Sequence, residues 1–203
     1  WLVGDKAGAG MGLLLVIGRR FLALPQAVAV AALLAFGTPL WSTASRALWS
    51  QTTEVLLLAA ALLLLIARRT PLRSLLLGTL LGWLYITRPI AALSIAAILF
   101  YLLFQDRRRL LLVAPTALVW FVGFCAWSMS LYHSWRPPYY ATGLSAENFF
   151  GAAAGQLFSP ARGLLIFCPW LLALIPLLVR LWKSRAHRPL LLTGLGVIVA
   201  HWL

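Results

Sequence analysis

The sequence predicts an all-α fold, a polytopic transmembrane helical bundle of about eight membrane helices, several of them short. Composition is the first reason: of 203 residues, 63% are hydrophobic and 10% are charged, and the mean hydropathy is +0.93. A water-soluble domain is far less apolar. Second, the apolar residues come in blocks that have no polar face. Third, Lys and Arg stand in small clusters between these blocks, as they do in cytoplasmic loops.

The predicted helices follow the apolar blocks in chain order. Several blocks are shorter than the roughly 20 residues of a full span, so tilt or snorkelling flanks must make up the difference. The chain starts at Trp1 and its last block stops short of a span, so we expect one transmembrane domain, residues 1–203, cut from a longer protein at both ends. The blocks are residues 7–18, 22–37, 54–67, 74–86, 89–104, 110–131, 164–182 and 189–203.

Charge parity decides whether residues 74–104 form one long helix or two short ones. Two crossings place the arginine clusters around Arg69 and Arg108 on one side, whereas a single crossing would separate them. Pro89 lacks an N–H and Arg88 is costly in hydrocarbon, which also favours a break between two helices. Along the whole chain, the same rule leaves five of the 17 Lys and Arg on the outer side: Lys6, Arg46, Arg88, Arg136 and Arg162.

Residues 132–163 form the longest outward-facing segment. Its aromatic side chains favour the boundary between water and lipid, so part of it is expected to lie on the outer leaflet as a short helix. Elsewhere, Asp106 is most simply a charge partner for the neighbouring arginines, and the two cysteines are most simply packing residues. Close helix contacts are predicted at three Gly-xxx-Gly pairs: Gly8 with Gly12, Gly78 with Gly82, and Gly151 with Gly155.

The formal charge of +13 does not indicate nucleic acid, because the cations lie in separate clusters rather than in a continuous basic patch. No Cys or His spacing resembles a metal or redox motif. We therefore predict no metal site in this chain and no certain cofactor, with a divalent metal in the full-length protein left as an open alternative. Membrane lipid is the predicted partner.

The outer arginines are the best candidates for a binding site, because a guanidinium binds phosphate in a planar, bidentate manner. The alternative for each is contact with lipid headgroups. Glu54 follows the polar residues 50–53 and is either a first-turn carboxylate favoured by the helix dipole or a group that binds a sugar. Glu147 has the same two interpretations. His133 is more simply a lone histidine without a ligand role.

Three short segments, in order, resemble bacterial glycosyltransferases of the GT-C superfamily, of the protein-mannosyltransferase and aminoarabinose-transferase type. The aromatic stretch 132–143 is also similar to a loop of that family. The segments are residues 37–41 with Ser45, Arg46 and Glu54; residues 82–89, ending in Thr87-Arg88-Pro89; and residues 159–163, which lead to Phe167-Cys168-Pro169.

The resemblance implies an enzyme of the bacterial inner membrane that moves a sugar from a polyprenyl-phosphate donor to an unknown acceptor at the outer face. The candidates for holding the donor phosphate are Arg46, Arg88 and Arg162, and those for contacting substrate are Glu54, His133, Tyr139, Tyr140 and Glu147. The family's catalytic acidic residue has no counterpart here and is expected upstream, so this piece alone is expected to be inactive. The alternatives are a transporter or flippase for a lipid-linked solute, and a non-catalytic membrane scaffold.

Overall fold

The computed structural model describes residues 2–38, 50–135, 137, 149–160, 163–183 and 188–202. Within these ranges the chain is all-α, as predicted, and contains no strand. The helices are α1 (Leu2–Gly18), α2 (Leu24–Phe36), α3 (Ser50–Ile66), α4 (Pro71–Thr87), α5 (Ala92–Gln105), α6 (Arg107–Tyr132), α7 (Phe149–Phe158), α8 (Leu164–Phe167), α9 (Ile175–Lys183) and α10 (Arg188–Trp202). Short 3₁₀ helices cover Pro89–Ala91 and Pro169–Leu174.

Helix α6 is the one helix in the described part of the chain that is long and apolar enough to cross a membrane, with 26 residues. Shorter apolar helices lie at Gly8–Gly18, Leu24–Phe36, Ser50–Ile66, Pro89–Gln105 and Arg188–Ile198. Large apolar side chains point outward on several helices. Leu111 is 73% exposed, Val119 is 71% exposed and Phe36 is 69% exposed.

The core lies where α3, α4, α5 and α6 meet. Leu77 and Leu81 of α4 and Val113 of α6 are fully buried there, beside Ala61 of α3 and Leu102 of α5. Helix α4 contacts both α3 and α6 along its length. It begins cleanly because Pro71 suits the first turn and the Thr70 hydroxyl accepts a hydrogen bond from the Arg73 N–H at 3.3 Å.

Two glycines let α4 approach α6 closely. A Cβ added at Gly78 would lie 2.6 Å from the Val113 carbonyl oxygen, and one at Gly82 would overlap the Trp120 side chain. The prediction for the Gly78 and Gly82 pair is thus confirmed. The prediction for Gly8 and Gly12 is wrong, because a Cβ at either would meet nothing within 4 Å.

The predicted break between residues 74–86 and 89–104 is confirmed. Helix α4 ends at Thr87, Arg88 is extended at φ −152° and ψ 110°, and α5 begins at Ala92 after one 3₁₀ turn. Proline at position 89 cannot donate the next helical hydrogen bond, and it disfavours helical geometry at the residue before it.

Two helix predictions need correction. Residues 164–182 do not form one helix, because Cys168 leaves helical geometry at φ −132° and Pro169 starts a 3₁₀ segment through Leu174. Helix α3 begins at Ser50 rather than at position 54, so the polar residues before Glu54 form its first turn. Glu54 therefore lies beyond the first turn, where the helix dipole acts weakly.

Helices α3 and α4 form an antiparallel hairpin with 17 residues in each arm, so its two ends lie about 25 Å apart. Arg20, Arg69, Asp106 and Arg109 line one cavity beside the turn of the hairpin, and we call this the basic end. Glu54 and Arg88 lie at the opposite end, the far end. The charge-parity argument correctly predicted that Arg20, Arg69 and Arg109 lie at the same end.

Candidate functional site

Five of the eight candidate residues lie outside the described residues: Arg46, Tyr139, Tyr140, Glu147 and Arg162. The remaining three are Glu54, Arg88 and His133, and two of these three are in direct contact.

Glu54 and Arg88 form an ion pair at the far end. The Nη1 atom of Arg88 donates to Oε2 of Glu54 at 2.8 Å, and the side chains are 31% and 16% exposed, respectively. This charge-assisted hydrogen bond joins residues 34 positions apart in sequence. Glu54 is therefore an ion-pair partner of Arg88. This role is neither of the two that the sequence suggested for Glu54.

The broken backbone between α4 and α5 positions Arg88. Its N–H donates to the Leu84 carbonyl at 3.1 Å and its carbonyl accepts from the Ala91 N–H at 3.0 Å, so the main chain is held on both sides of the break. Nη1 is the atom that contacts Glu54. A guanidinium carries further N–H donors on one rigid plane, so this pairing leaves binding capacity for a second anion.

A second contact joins the first and third of the sequence segments that resemble the glycosyltransferases. The Gly37 carbonyl, just after α2, accepts hydrogen bonds from Cys168 Sγ at 3.2 Å and from Trp170 Nε1 at 2.9 Å. Position 37 requires glycine, because an added Cβ would lie 2.6 Å from the Leu33 carbonyl and 2.9 Å from Trp170 Nε1. Cys168 is buried, and it donates this hydrogen bond in addition to packing.

His133 ends α6 in the left-handed conformation, at φ 51° and ψ 28°, and its N–H donates to the Met129 carbonyl at 3.1 Å. The ring is exposed. Nearby, the buried Ser128 hydroxyl donates to the Ser134 carbonyl at 2.8 Å, which fixes the chain as it leaves the helix. The described contacts of His133 are thus those of a helix terminus.

At the basic end, Asp106 is a charge partner as predicted. Its Oδ2 lies 3.0 Å from Arg69 Nε, and its Oδ1 accepts the Arg109 N–H at 3.2 Å as the N-cap of α6. The burial of Arg109 was not predicted. Arg109 lies four residues before Val113 on the same helix face, but the burial of that face is seen only in the structure.

Sequence reasoning also missed Trp170, because an indole within an apolar block gives no sign of a distant hydrogen-bond acceptor. Among the residues the structure describes, no group of three or more His, Cys, Asp or Glu could hold a metal ion. Comparisons with known proteins found no matching family model, no matching curated protein and no matching solved structure.

Proposed function

We propose that the chain is a multi-pass bundle of about eight membrane helices in a bacterial cytoplasmic membrane, with its basic end on the cytoplasmic side. The apolar outer surfaces of the helices support the membrane location. The arginines gathered at one end, and their sparseness at the other, support the orientation. Helices shorter than a full span would tilt or draw flanking residues toward the interface. The stretch around α7 would then lie near the outer leaflet.

Cysteine labelling tests this orientation. In a background with Cys125→Ser and Cys168→Ala, an impermeant maleimide added to intact cells should label Tyr140→Cys and miss Arg108→Cys. Both positions should react after the cells are broken open, which controls for buried thiols. Labelling of position 108 but not of position 140 in intact cells would reverse the proposed topology.

We further propose that the protein is a GT-C type glycosyltransferase that moves a sugar from a polyprenyl-phosphate donor to an acceptor at the far end. The observation that carries the proposal is the pairing of the three resembling segments. Glu54 of the first contacts Arg88 of the second, and Gly37 of the first contacts Cys168 of the third. Segments separated by tens of residues are expected to meet in this way when they build one site.

In this proposal Arg88 binds the donor phosphate and Glu54 is a positioning residue. Negative charge grows on the phosphate as its bond to the sugar breaks, and a fixed guanidinium stabilises that charge more than it stabilises the bound donor. The bond to Glu54 holds the guanidinium plane before the donor arrives, so less ordering is needed on binding. Arg46 and Arg162 are proposed as further phosphate contacts, and the catalytic base is not assigned.

The test compares, in the full-length protein, Arg88→Ala, Arg88→Lys and Glu54→Gln with Arg68→Ala, an exposed arginine at the basic end, as the matched control. The assay measures sugar release in membranes from polyprenyl-phosphate mannose and polyprenyl-phosphate aminoarabinose at saturating concentrations. Loss of one anion-stabilising donor typically lowers the turnover rate by about 100-fold, which we expect for Arg88→Ala. We expect Arg88→Lys to recover part of the lost turnover rate and Arg68→Ala to have the rate of the unchanged protein. Equal rates in Arg88→Ala and Arg68→Ala would refute the assignment.

A further inference from the structure

A cavity of about 440 Å³ opens at the basic end, between the start of α6, the end of α3 and the turn after α1. Arg20, Arg69 and Arg109 contribute to its wall, together with Asp106 and Gln105. Cavities of this volume are large enough for a small polar group or a lipid headgroup.

The charges in this wall are not balanced. Asp106 is the acidic residue of the wall and faces three arginines, and it lies within ion-pair distance of Arg69, at 3.0 Å from Nε. The contact is angled such that Asp106 Oδ2 makes no hydrogen bond with any described residue. Even with one arginine fully compensated, the lining keeps a surplus of positive charge.

Arg109 adds an unsatisfied donor. Its side chain is 5% exposed, and its Nη1 and Nη2 atoms donate to the Leu65 and Leu64 carbonyls at 2.8 and 2.6 Å. Its Nε is buried and has no hydrogen-bond partner among the described residues. A buried donor without a partner is costly, so the charge of Arg109 is only partly compensated by its two carbonyl partners.

An apolar groove of about 510 Å³ lies next to the cavity, between α5 and α10. Tyr101 and Gln105 line both spaces, so the groove and the charged cavity are adjacent. Beyond them the groove is walled by Phe100, Leu192 and Val197 and is floored by small residues such as Ala97 and Gly196. A narrow apolar channel of this kind fits a hydrocarbon chain.

We propose that an anionic phospholipid binds at the basic end, with its phosphate headgroup in the charged cavity and an acyl chain in the α5–α10 groove. Charge complementarity selects the headgroup, and burial of apolar surface holds the chain. Neither space alone identifies the ligand, but a charged cavity beside an apolar groove fits an anion joined to a hydrocarbon tail. The site lies opposite Arg88, and it rests on the proposed membrane location but not on sugar transfer.

The test uses native mass spectrometry of the protein in mild detergent with added phosphatidylglycerol, and phosphatidylcholine as the neutral lipid of equal chain length. Arg20→Gln with Arg69→Gln removes two wall charges and leaves Arg109 in place. The matched control is Arg68→Gln with Arg108→Gln, which removes the same charge from exposed neighbours that do not line the cavity. For the groove, Gly196→Leu is compared with Gly194→Leu, because a Cβ at either meets nothing within 4 Å but only Gly196 lines the groove.

We expect phosphatidylglycerol to bind about tenfold more tightly than phosphatidylcholine, and the Arg20 and Arg69 double variant to abolish that preference. The control double variant should keep it, and Gly196→Leu should weaken binding severalfold while Gly194→Leu leaves it unchanged. Sodium phosphate at millimolar concentration should not displace the lipid. Equal binding of both lipids, or equal effects of the two double variants, would overturn the proposal. Lost binding on arginine replacement without any effect of Gly196→Leu would also overturn it, because a free anion would then be the occupant.

Discussion

The three consecutive arginines that begin α6 have different surroundings. Arg107 donates from Nε to the Leu103 carbonyl at 3.2 Å and is exposed, and Arg108 is exposed as well. Arg109 is buried and places two N–H groups on carbonyls in the last turn of α3. The Leu64 carbonyl also accepts the Ala67 N–H at 3.2 Å, so Arg109 adds a second donor there and caps the Leu65 carbonyl from another helix.

We expect Arg109→Gln to lower the free energy of unfolding by about 2 to 4 kcal/mol, because it removes two charge-assisted bonds and leaves the Leu65 carbonyl unsatisfied. Arg109→Lys should recover only part of the lost free energy of unfolding, since an ammonium lacks the planar fork that reaches both carbonyls. Unfolding in mixed micelles gives the measurement. The control is Arg108→Gln, which we expect to change the value by less than about 0.5 kcal/mol. Similar losses in Arg108→Gln and Arg109→Gln would contradict the cap.

At the scale of the helices, the contact between α4 and α6 depends on the two glycines that face α6. A helix glycine normally costs stability relative to alanine, so its use here indicates that backbone approach is worth more than that cost. The edge-to-face pair of Trp83 and Trp120, with centroids 5.5 Å apart, lies beside this contact.

Gly78→Ala and Gly82→Ala should each destabilise the bundle by about 1 to 3 kcal/mol, because the added methyl group forces α4 away from α6. Gly123→Ala on α6 is the control, since a Cβ there meets nothing within 4 Å. Alanine should stabilise that open position by up to about 1 kcal/mol. Unfolding of the three variants in the same micelles measures whether these stability changes have opposite signs. A stabilised Gly78→Ala would show that the helices are not in close contact.

Proline allowed one helix break to be predicted from the sequence and could have allowed the second. At Pro89 the preceding arginine and the charge clusters on both sides made the break visible. At Pro169 the surrounding residues are all apolar, and hydropathy alone reports a single continuous block. Hydropathy also misplaced the start of α3, because it measures apolar length and not where helical hydrogen bonding begins.

At the scale of the whole molecule, the contacts of the described residues include two that connect the last part of the chain to earlier helices. Helix α10 contacts α5, and Cys168 and Trp170 donate to the carbonyl after α2. The second connection consists of two hydrogen bonds, and one oxygen atom, the Gly37 carbonyl, accepts both. We therefore expect the attachment of the segment around Pro169 to be sensitive to a single side chain.

Trp170→Phe keeps the aromatic ring and removes the donor to Gly37, so it should cost about 1 kcal/mol. Limited proteolysis in detergent should then cut residues 149–183 faster than in the unchanged protein. Trp127→Phe serves as the control, because the Trp127 ring lies against Phe124 and Tyr132 and phenylalanine preserves those contacts. Equal cleavage rates in the two variants would mean that the indole bond does not hold this segment.

The candidate site could be predicted in part. Arg88 and Glu54 were both selected from the sequence, as a cation and a carboxylate on the sparsely charged side, but the 2.8 Å bond between them was not predicted. Position along a helix is readable from the sequence, whereas the rotation of two helices about their axes depends on the packing of glycines such as Gly78 against a neighbour. Ion pairs between helices depend on that rotation.

For the proposed membrane orientation, the burial of Arg109 determines which arginines can be replaced to alter the insertion of the chain. Arg107 and Arg108 are exposed, so these two can be neutralised to weaken the retention of this loop on the cytoplasmic side, at the cost of one exposed hydrogen bond from Arg107. Removing the third arginine would combine an altered insertion signal with a helix that has lost its cap. Experiments that aim to invert the protein in the bilayer should therefore leave position 109 unchanged.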